Sequence, residues 1–420
     1  MRMAIFGLAR SGISALNFLA GKTEHECFAV NQGAPETWES YEKVTGIIPR
    51  ENCFDENDAH EVFASADMII KSPGIPYSHP ALKQARQKRV EIVSEIEFAY
   101  RHSDIPVVAV TGTNGKTTTA TMAADLLAKL GKKVFLGGNI GLPYSEILCA
   151  QEDFDWAVVE VSSFQLENIK TFRPAIAVLT NISPSHGERY DSHELYRDAK
   201  LKIFQNMDMQ DLAILPEAFA HLNLPCEKEK IRPLENFDFS QSKVMAKHNQ
   251  ENLYCAYLCA QRILKDNSKV DKAVQKYIDE FQGVAYRLQF IKSKNGLKIY
   301  NDGKSTNMAA TLAAIESFQD QELHLALGGK LRSEDMDFSK IKEKKIKKIY
   351  AFGEARDFIA KHFSSDFDLQ TFSNLEELFE EVKANRPKGV FLFSPAFPSF
   401  DLYKNYEERA RAFNQLVLNF

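Results

Sequence analysis

The stretch 109-AVTGTNGKTTT-119 decides how this chain is read. It follows the apolar run Ile105-Pro106-Val107-Val108 and leads into a segment where Ala120, Ala123, Ala124, Leu127 and Leu130 recur at helical spacing, with Gly131 as C-cap. A glycine-rich turn ending in Gly-Lys-Thr between a strand and a helix leaves backbone N–H groups free to point at phosphate oxygens. The helix behind it adds the positive end of its dipole. Gly112, Thr113, Asn114, Gly115, Lys116, Thr117 and Thr118 are therefore candidates for a nucleotide site, with Lys116 reaching the β- and γ-phosphates and Thr117 offering its hydroxyl to Mg²⁺. The loop is shorter than the strict phosphate-loop pattern, which would place a glycine at Val110. The bland alternative is a plain strand-to-helix turn that contains Gly-Lys, and the placement between strand and helix weighs against it.

Working outward, apolar strands alternate with helical segments on both sides. The first block, to about residue 100, holds strand "MAIF", turn "GLARSG" (7–12), helix "ISALNFLAG", strands "CFAVN" and "DMIIKS", and the loop Ser72-Pro73-Gly74-Ile75. Polar "RHSDIP" (101–106) reads as a linker. The second block continues with "KKVFLG", the loop "GGNIGLP" (137–143), "WAVVEV" (156–161) and "AIAVLTN" (175–181). The third opens near 288 with Asn295-Gly296 between two strand-like runs, a hairpin signal, followed by "LHLALGG", "IYAFG" and "GVFLFS". Such alternation predicts an α/β fold of three domains, each with a mainly parallel sheet: Rossmann-like over 1–102, a phosphate-loop domain over 103–287 and Rossmann-like over 288–420.

With 420 residues, 44% of them hydrophobic, the chain can bury two or three cores. A formal net charge of −5 gives no case for nucleic-acid or anionic-membrane binding. The basic run from Lys340 to Lys348 reads as a solvated face. No apolar stretch approaches the ~20 residues that span a bilayer, and "MRMAIFG" goes straight into a strand, leaving no room for a signal sequence. Six cysteines show no C-x-x-C spacing; Cys255 and Cys259, one helical turn apart, read as core residues. The expectation is a soluble protein of a reducing, cytoplasmic compartment.

Other polar groups fall at strand ends, where ligands of parallel sheets sit. "GLARSG" resembles a dinucleotide fingerprint with Ala9 in place of the middle glycine, and Asn31 stands where a ribose-binding acid is expected. It fits a nucleotide diphosphate held differently from NAD, or a structural turn. Glu160 ends a strand and suits either Mg²⁺ or a capping role. His186, in "NISPSHGERY" (181–190), is placed alike; a lone histidine is more often structural. "NDGKSTN" (301–307) and "SPAFPSFDLYKNYEERA" (394–410) are polar loops that together suggest a ligand face on the third domain.

The ordered set "TGTNGKTT", "GGNIGLP", "EVSSFQLE", "HNQEN", "YR", "NDGKSTN", "LGG" and "SPAFPSFDLYKNYEER" resembles the Mur ligases across nearly the whole chain, and among them the D-glutamate-adding branch. The resemblance implies one domain for a UDP-sugar, one for ATP and one that closes over both with the amino acid. It implies ATP-driven amide formation through an acyl phosphate, with UDP-N-acetylmuramoyl-L-alanine, D-glutamate and ATP as substrates, two Mg²⁺ ions and a monomeric enzyme.

By matching position, Lys116 would hold the γ-phosphate, Thr117 and Glu160 would ligate magnesium, and His186 would sit beside the second ion. Lys200 matches a lysine that the family carbamylates; a plain ion-paired lysine is the alternative. Asn249 and Asn252 match adenine-side residues, and Arg287, Asp302 and Lys304 match residues near phosphates and ribose. Arg10, Ser11, Asn31, Gln32, Ser72, Gly74 and Asn139 fall on the UDP-sugar side. For D-glutamate the matches are Thr306, Ser399, Phe400 and Tyr406, with Lys330 or Arg332 as the basic partner, because "KLRSEDMDF" is one residue longer than usual.

The chain also departs from the pattern. Ser185-His186 replaces Asp-His, Glu188-Arg189 replaces Asp-Arg, Ala285-Tyr286-Arg287 replaces Pro-His-Arg, Asn31 replaces an acid and Gly303 a serine. Competing readings are a sister ligase using another amino acid, a folylpolyglutamate synthase, a non-catalytic nucleotide- or UDP-sugar-binding relative, and an NAD-type oxidoreductase.

Overall fold

A computed structural model describes residues 1–22, 24–183, 189–240, 242, 247–318, 320–331 and 339–420. Three sheets organise it, one per domain, and the fold is α/β. The strands are β1 (Arg2–Phe6), β2 (Glu26–Asn31), β3 (Cys53–Asp55), β4 (Met68–Lys71), β5 (Glu91–Ser94), β6 (Val107–Thr111), β7 (Val134–Gly138), β8 (Trp156–Glu160), β9 (Ile176–Leu179), β10 (Leu212–Leu215), β11 (Glu227–Lys230), β12 (Gln289–Lys294), β13 (Leu297–Asn301), β14 (Leu323–Gly328), β15 (Lys348–Phe352), β16 (Asp368–Phe372) and β17 (Gly389–Ala396). Two compact units hold them. One comprises Met1–Phe237 and Lys247–Lys276, and the other is built chiefly of Tyr277–Phe420.

The first unit carries two all-parallel sheets, in the orders β3-β2-β1-β4-β5 and β11-β10-β9-β6-β8-β7. In each, the strand order reverses beside the first strand, so loops after β1 and β4, and after β6, β8 and β9, open a crevice at the carboxyl edge. Central strands such as Ala4–Phe6 and Val108–Val110 are buried, as parallel strands covered by helices on both faces must be.

Short polar ties join the two sheets of this unit. Glu97, buried, accepts backbone N–H bonds from Lys170, Thr171 and Phe172, a hydroxyl bond from Thr171, and the Arg101 guanidinium at 2.7 Å. Burial alone would raise its pKa; these donors together hold it below the usual carboxylate range. The polar stretch expected to be a linker from residue 101 thus begins with an anchored residue: Arg101 ends the helix Glu95–Arg101 and also pairs with Glu91 at 3.0 Å. Glu95 is buried on the same helix. Its Oε1 accepts the Ser145 N–H at 2.5 Å, Ser145 Oγ meets Ser14 Oγ at 2.8 Å, and Oε2 is buried with no hydrogen-bond partner. Burial lifts this carboxyl to about 7.

The second unit has the order β12-β13-β17-β14-β15-β16, parallel except for the β12–β13 hairpin. Asn295 and Gly296 at its tip both take positive φ, +52° and +84°, as a tight hairpin turn requires. Phe393 and Phe413 stack at 4.2 Å between centroids in its core. The basic run behaves as a solvated face, with Lys342 paired to Asp366 and Lys344 to Glu316. Cys255 and Cys259 are buried, and all six cysteines are unpaired. Among the described residues no helix is long and apolar enough to cross a membrane.

Candidate active site

The loop after β6 is shaped by close approach. Gly112 has φ +148°, and a Cβ there would lie 1.9 Å from Thr180 Oγ1. Gly115 has φ +81°, and a Cβ would lie 2.7 Å from Asn252 Oδ1. Asn114 is clamped by the end of β9: its N–H donates to Asn181 Oδ1 (3.0 Å), and its carbonyl accepts from Asn181 Nδ2 (3.0 Å) and Thr180 Oγ1 (2.6 Å). Asn249 and Asn252, both buried, support the loop; Thr119 Oγ1 bonds Asn252 Oδ1 at 3.1 Å. Neither Thr180 nor Asn181 was singled out from sequence, although their position at a strand's carboxyl end was the available signal.

Charged groups gather at this loop. Lys116 Nζ donates to the carbonyls of Gly112 (2.9 Å) and Thr113 (2.8 Å). Thr117 Oγ1 donates to Glu160 Oε2 at 2.6 Å, while Asn139 Nδ2 donates to Oε1 at 2.8 Å, so both oxygens of this buried carboxylate are engaged. Thr118 is buried behind them. Lys200 is buried too, its Nζ bonded to Gly112 O at 2.7 Å and 4.6 Å from the Tyr196 ring centroid. Burial first, then the nearby Lys116 charge, brings its pKa down to about 7, with Glu160 opposing. His186 lies outside the described residues.

Among the described residues, no group of three or more His, Cys, Asp or Glu is placed to hold a metal. A threonine hydroxyl beside one carboxylate at a phosphate loop nevertheless fits Mg²⁺, which draws its other oxygens from phosphates and water.

At the first sheet, the glycines of "GLARSG" serve packing. Gly7 has φ +91° and a Cβ there would lie 2.8 Å from Ser72 Cβ, while a Cβ on Gly12 would lie 2.0 Å from Gly7 O. Arg10 and Ser11 start the helix Arg10–Ala20, Asn31 ends β2 and Gln32 follows it, and Ser72 bonds Gly7 O at 2.6 Å. Arg10, Ser11, Asn31, Gln32, Ser72 and Gly74 therefore share the carboxyl edge of neighbouring strands. Asn139 is instead committed to Glu160. Arg189 reaches this edge from the second sheet, bonding Glu167 at 2.7 Å and Gly74 O at 3.3 Å. Buried Lys71 donates to Ile75 O at 2.9 Å, and burial lowers its pKa to about 8.

In the second unit Asp302 is buried. It accepts Ser305 Oγ (2.5 Å), Ser394 Oγ (2.7 Å) and the Leu288 N–H (3.0 Å), so it organises the loop after β13; burial lifts it to about 6. Arg287, partly buried, immediately precedes Leu288. Lys304 Nζ lies 4.9 Å from the Tyr406 ring centroid. Thr306 is half-buried, Ser399 buried, and Phe400 and Lys330 exposed; the Lys330 N–H donates to Pro398 O at 2.8 Å. Arg332 lies outside the described residues.

Comparison with known proteins matches these features to one family. Residues 1–94 match the profile of the Mur ligase MurD-like N-terminal domain, and residues 110–255 that of the Mur ligase middle domain. The chain is 33% identical, over 99% of its length and 98% of the other's, to a protein of Aquifex aeolicus named UDP-N-acetylmuramoylalanine--D-glutamate ligase. A protein of that name from Geobacter metallireducens is 32% identical over 98% of this chain and 96% of its own. Two solved structures from Thermotoga maritima share the fold: a UDP-N-acetylmuramate-alanine ligase (TM-score 0.60, 20% identity, 100% and 99% coverage) and a MurF ligase in complex with ADP (TM-score 0.57, 16% identity, 96% and 99% coverage).

Proposed function

The chain belongs to the Mur ligase family of ATP-dependent ligases, and from that premise we propose that it joins D-glutamate to UDP-N-acetylmuramoyl-L-alanine in peptidoglycan precursor synthesis. The observation that carries this reading is the gathering at one phosphate loop of Lys116 and Lys200, both bonded to Gly112 O, and of the hydrogen-bonded pair Thr117–Glu160, in a chain that matches D-glutamate ligases end to end.

The substrate carboxylate attacks the γ-phosphorus of ATP, and ADP departs with the electron pair of the broken P–O bond. The amine of D-glutamate then adds to the acyl phosphate carbon and gives up a proton. Phosphate leaves with the C–O pair, and an amide remains. No enzyme nucleophile is needed, so the chain's work is positioning and charge neutralisation. The loop amides of Gly112–Thr118 cradle phosphate and Lys116 meets the γ-phosphate. Asn249 and Asn252 lie on the adenine side, with Arg287, Asp302 and Lys304 serving phosphates and ribose.

Thr117 and Glu160 would hold Mg²⁺, which when bound neutralises phosphate charge. Lys200, with a pKa near pH 7, has a substantial neutral fraction able to take up CO₂; as a carbamate it would add a carboxylate to that donor set. His186 is assigned beside the reacting groups by its place in the motif. Arg10, Ser11, Asn31, Gln32, Ser72 and Gly74 serve the UDP-sugar, while Asn139, matched to that side by its motif, holds Glu160. Thr306, Ser399, Phe400 and Tyr406 serve D-glutamate together with Lys330 or Arg332. Six unpaired cysteines suit a cytoplasmic enzyme, working as a monomer.

The test is phosphate release across a panel of amino acids. Release requiring both UDP-N-acetylmuramoyl-L-alanine and D-glutamate is expected. Release with another amino acid in its place assigns a sister ligase, and ATP binding without turnover rejects catalysis.

A further inference from the structure

We propose that Arg409 is a positioning residue that holds the three loops of the amino-acid half-site in register. It lies near the start of the helix Tyr406–Leu418 with its side chain fully buried. Nη1 donates to the carbonyls of Gly328 and Pro398, each at 3.2 Å, and Nη2 to that of Gly303 at 3.3 Å. These carbonyls belong to the segments leaving β14, β17 and β13, which are neighbours in the sheet. Each segment carries residues assigned above to substrate: Lys330 on the first, Ser399 and Phe400 on the second, Lys304 and Thr306 on the third.

The backbone is fitted to the guanidinium. Gly329 has φ +136°, and a Cβ there would lie 2.7 Å from Arg409 Nη1 and 2.1 Å from Pro398 O. The Lys330 N–H closes the arrangement on Pro398 O at 2.8 Å. A planar fork with donors in fixed directions can address several carbonyls at once; an ammonium is a point charge and cannot fix their relative angles. Burying a cation is costly, and an apolar side chain would fill a purely structural position at lower cost. Burial brings the guanidinium down to about 10, with Asp401 offsetting part of that.

The inference rests on the proposed reaction. Its test is steady-state kinetics of the full chain as wild type, Arg409→Lys and Arg409→Met, with D-glutamate and UDP-N-acetylmuramoyl-L-alanine varied in turn. Arg409→Met should raise the KM for D-glutamate by roughly tenfold or more, with partial recovery in Arg409→Lys. The KM for the UDP-sugar, whose assigned residues lie elsewhere, should stay within about twofold. An unmoved D-glutamate KM, or both KM values displaced alike, would reduce Arg409 to a core residue. If Arg409→Met does not accumulate as folded protein, Arg409→Lys decides by the same two constants. A wild type inactive with D-glutamate sinks the reaction and the inference together, whereas an active wild type with indifferent variants sinks the inference alone.

Discussion

Replacing Glu95 by glutamine should alter how the stability of the first unit depends on pH. The carboxyl is buried between Ser145 and an environment that leaves Oε2 unpartnered, and burial moves its pKa from 4.5 to about 7. At about 1.4 kcal/mol for each tenfold change in proton affinity, that gap is worth about 3 kcal/mol. The folded state binds the proton more tightly than the unfolded chain. The contribution is therefore fully present below pH 4.5 and is lost as pH rises through about 7. Glutamine keeps an acceptor for Ser145 N–H but cannot ionise. Its buried NH₂ costs about 1–3 kcal/mol at every pH.

The decisive quantity is thus the change in the difference between the two proteins. Relative to wild type, Glu95→Gln should gain about 2.5 kcal/mol between pH 5 and pH 8. Both tryptophans, Trp38 and Trp156, lie in the unit that contains Glu95, so urea unfolding followed by their fluorescence reports on it. Groups that titrate in both proteins cancel in the comparison. Parallel stability profiles would refute the reasoning and mean that Glu95 is solvated in the folded chain.

Lys116→Ala should lower turnover by at least about a thousandfold by removing the main γ-phosphate cation; near-wild-type phosphate release would remove Lys116 from that role. Lys200→Ala should be inactive and regain part of its activity with added short carboxylates, and wild type should slow when bicarbonate is stripped; indifference to both leaves Lys200 a plain buried amine. Gly112→Ala meets Thr180 Oγ1 at 1.9 Å on a backbone that L side chains rarely adopt. It should destabilise the protein by more than about 2 kcal/mol and abolish binding of an ATP analogue, so wild-type nucleotide affinity would contradict the loop geometry.

What could be read in advance follows from what each feature needs. The phosphate loop was legible because its conformation demands glycine at 112 and 115, and sequence records that demand directly. The Asn295-Gly296 hairpin was legible for the same reason. Strands β3, β5, β10, β11 and β16 were not among those picked out. They are short, and β11, Glu-Lys-Glu-Lys, has no apolar pattern because backbone pairing with β10 on one side alone makes it a strand. Arg101 looked like the start of a linker because its two carboxylate partners are reached only once the helix is folded. Arg409 stands in the sequence only near the end of the polar stretch "SPAFPSFDLYKNYEERA" (394–410), where nothing local marks this one charge as buried. Only the packing of three loops turns it inward.

One carbonyl, that of Gly112, accepts hydrogen bonds from both Lys116 and Lys200. The two amines are therefore not separable by single substitutions. Removing Lys116 also removes the neighbouring charge that helps depress the Lys200 pKa, so the remaining amine becomes more basic and its neutral fraction shrinks. Lys116→Ala would then report a lost phosphate contact and a less reactive Lys200 together. The double mutant should fall well short of the summed single effects, and that shortfall measures how much the two lysines act as one electrostatic unit.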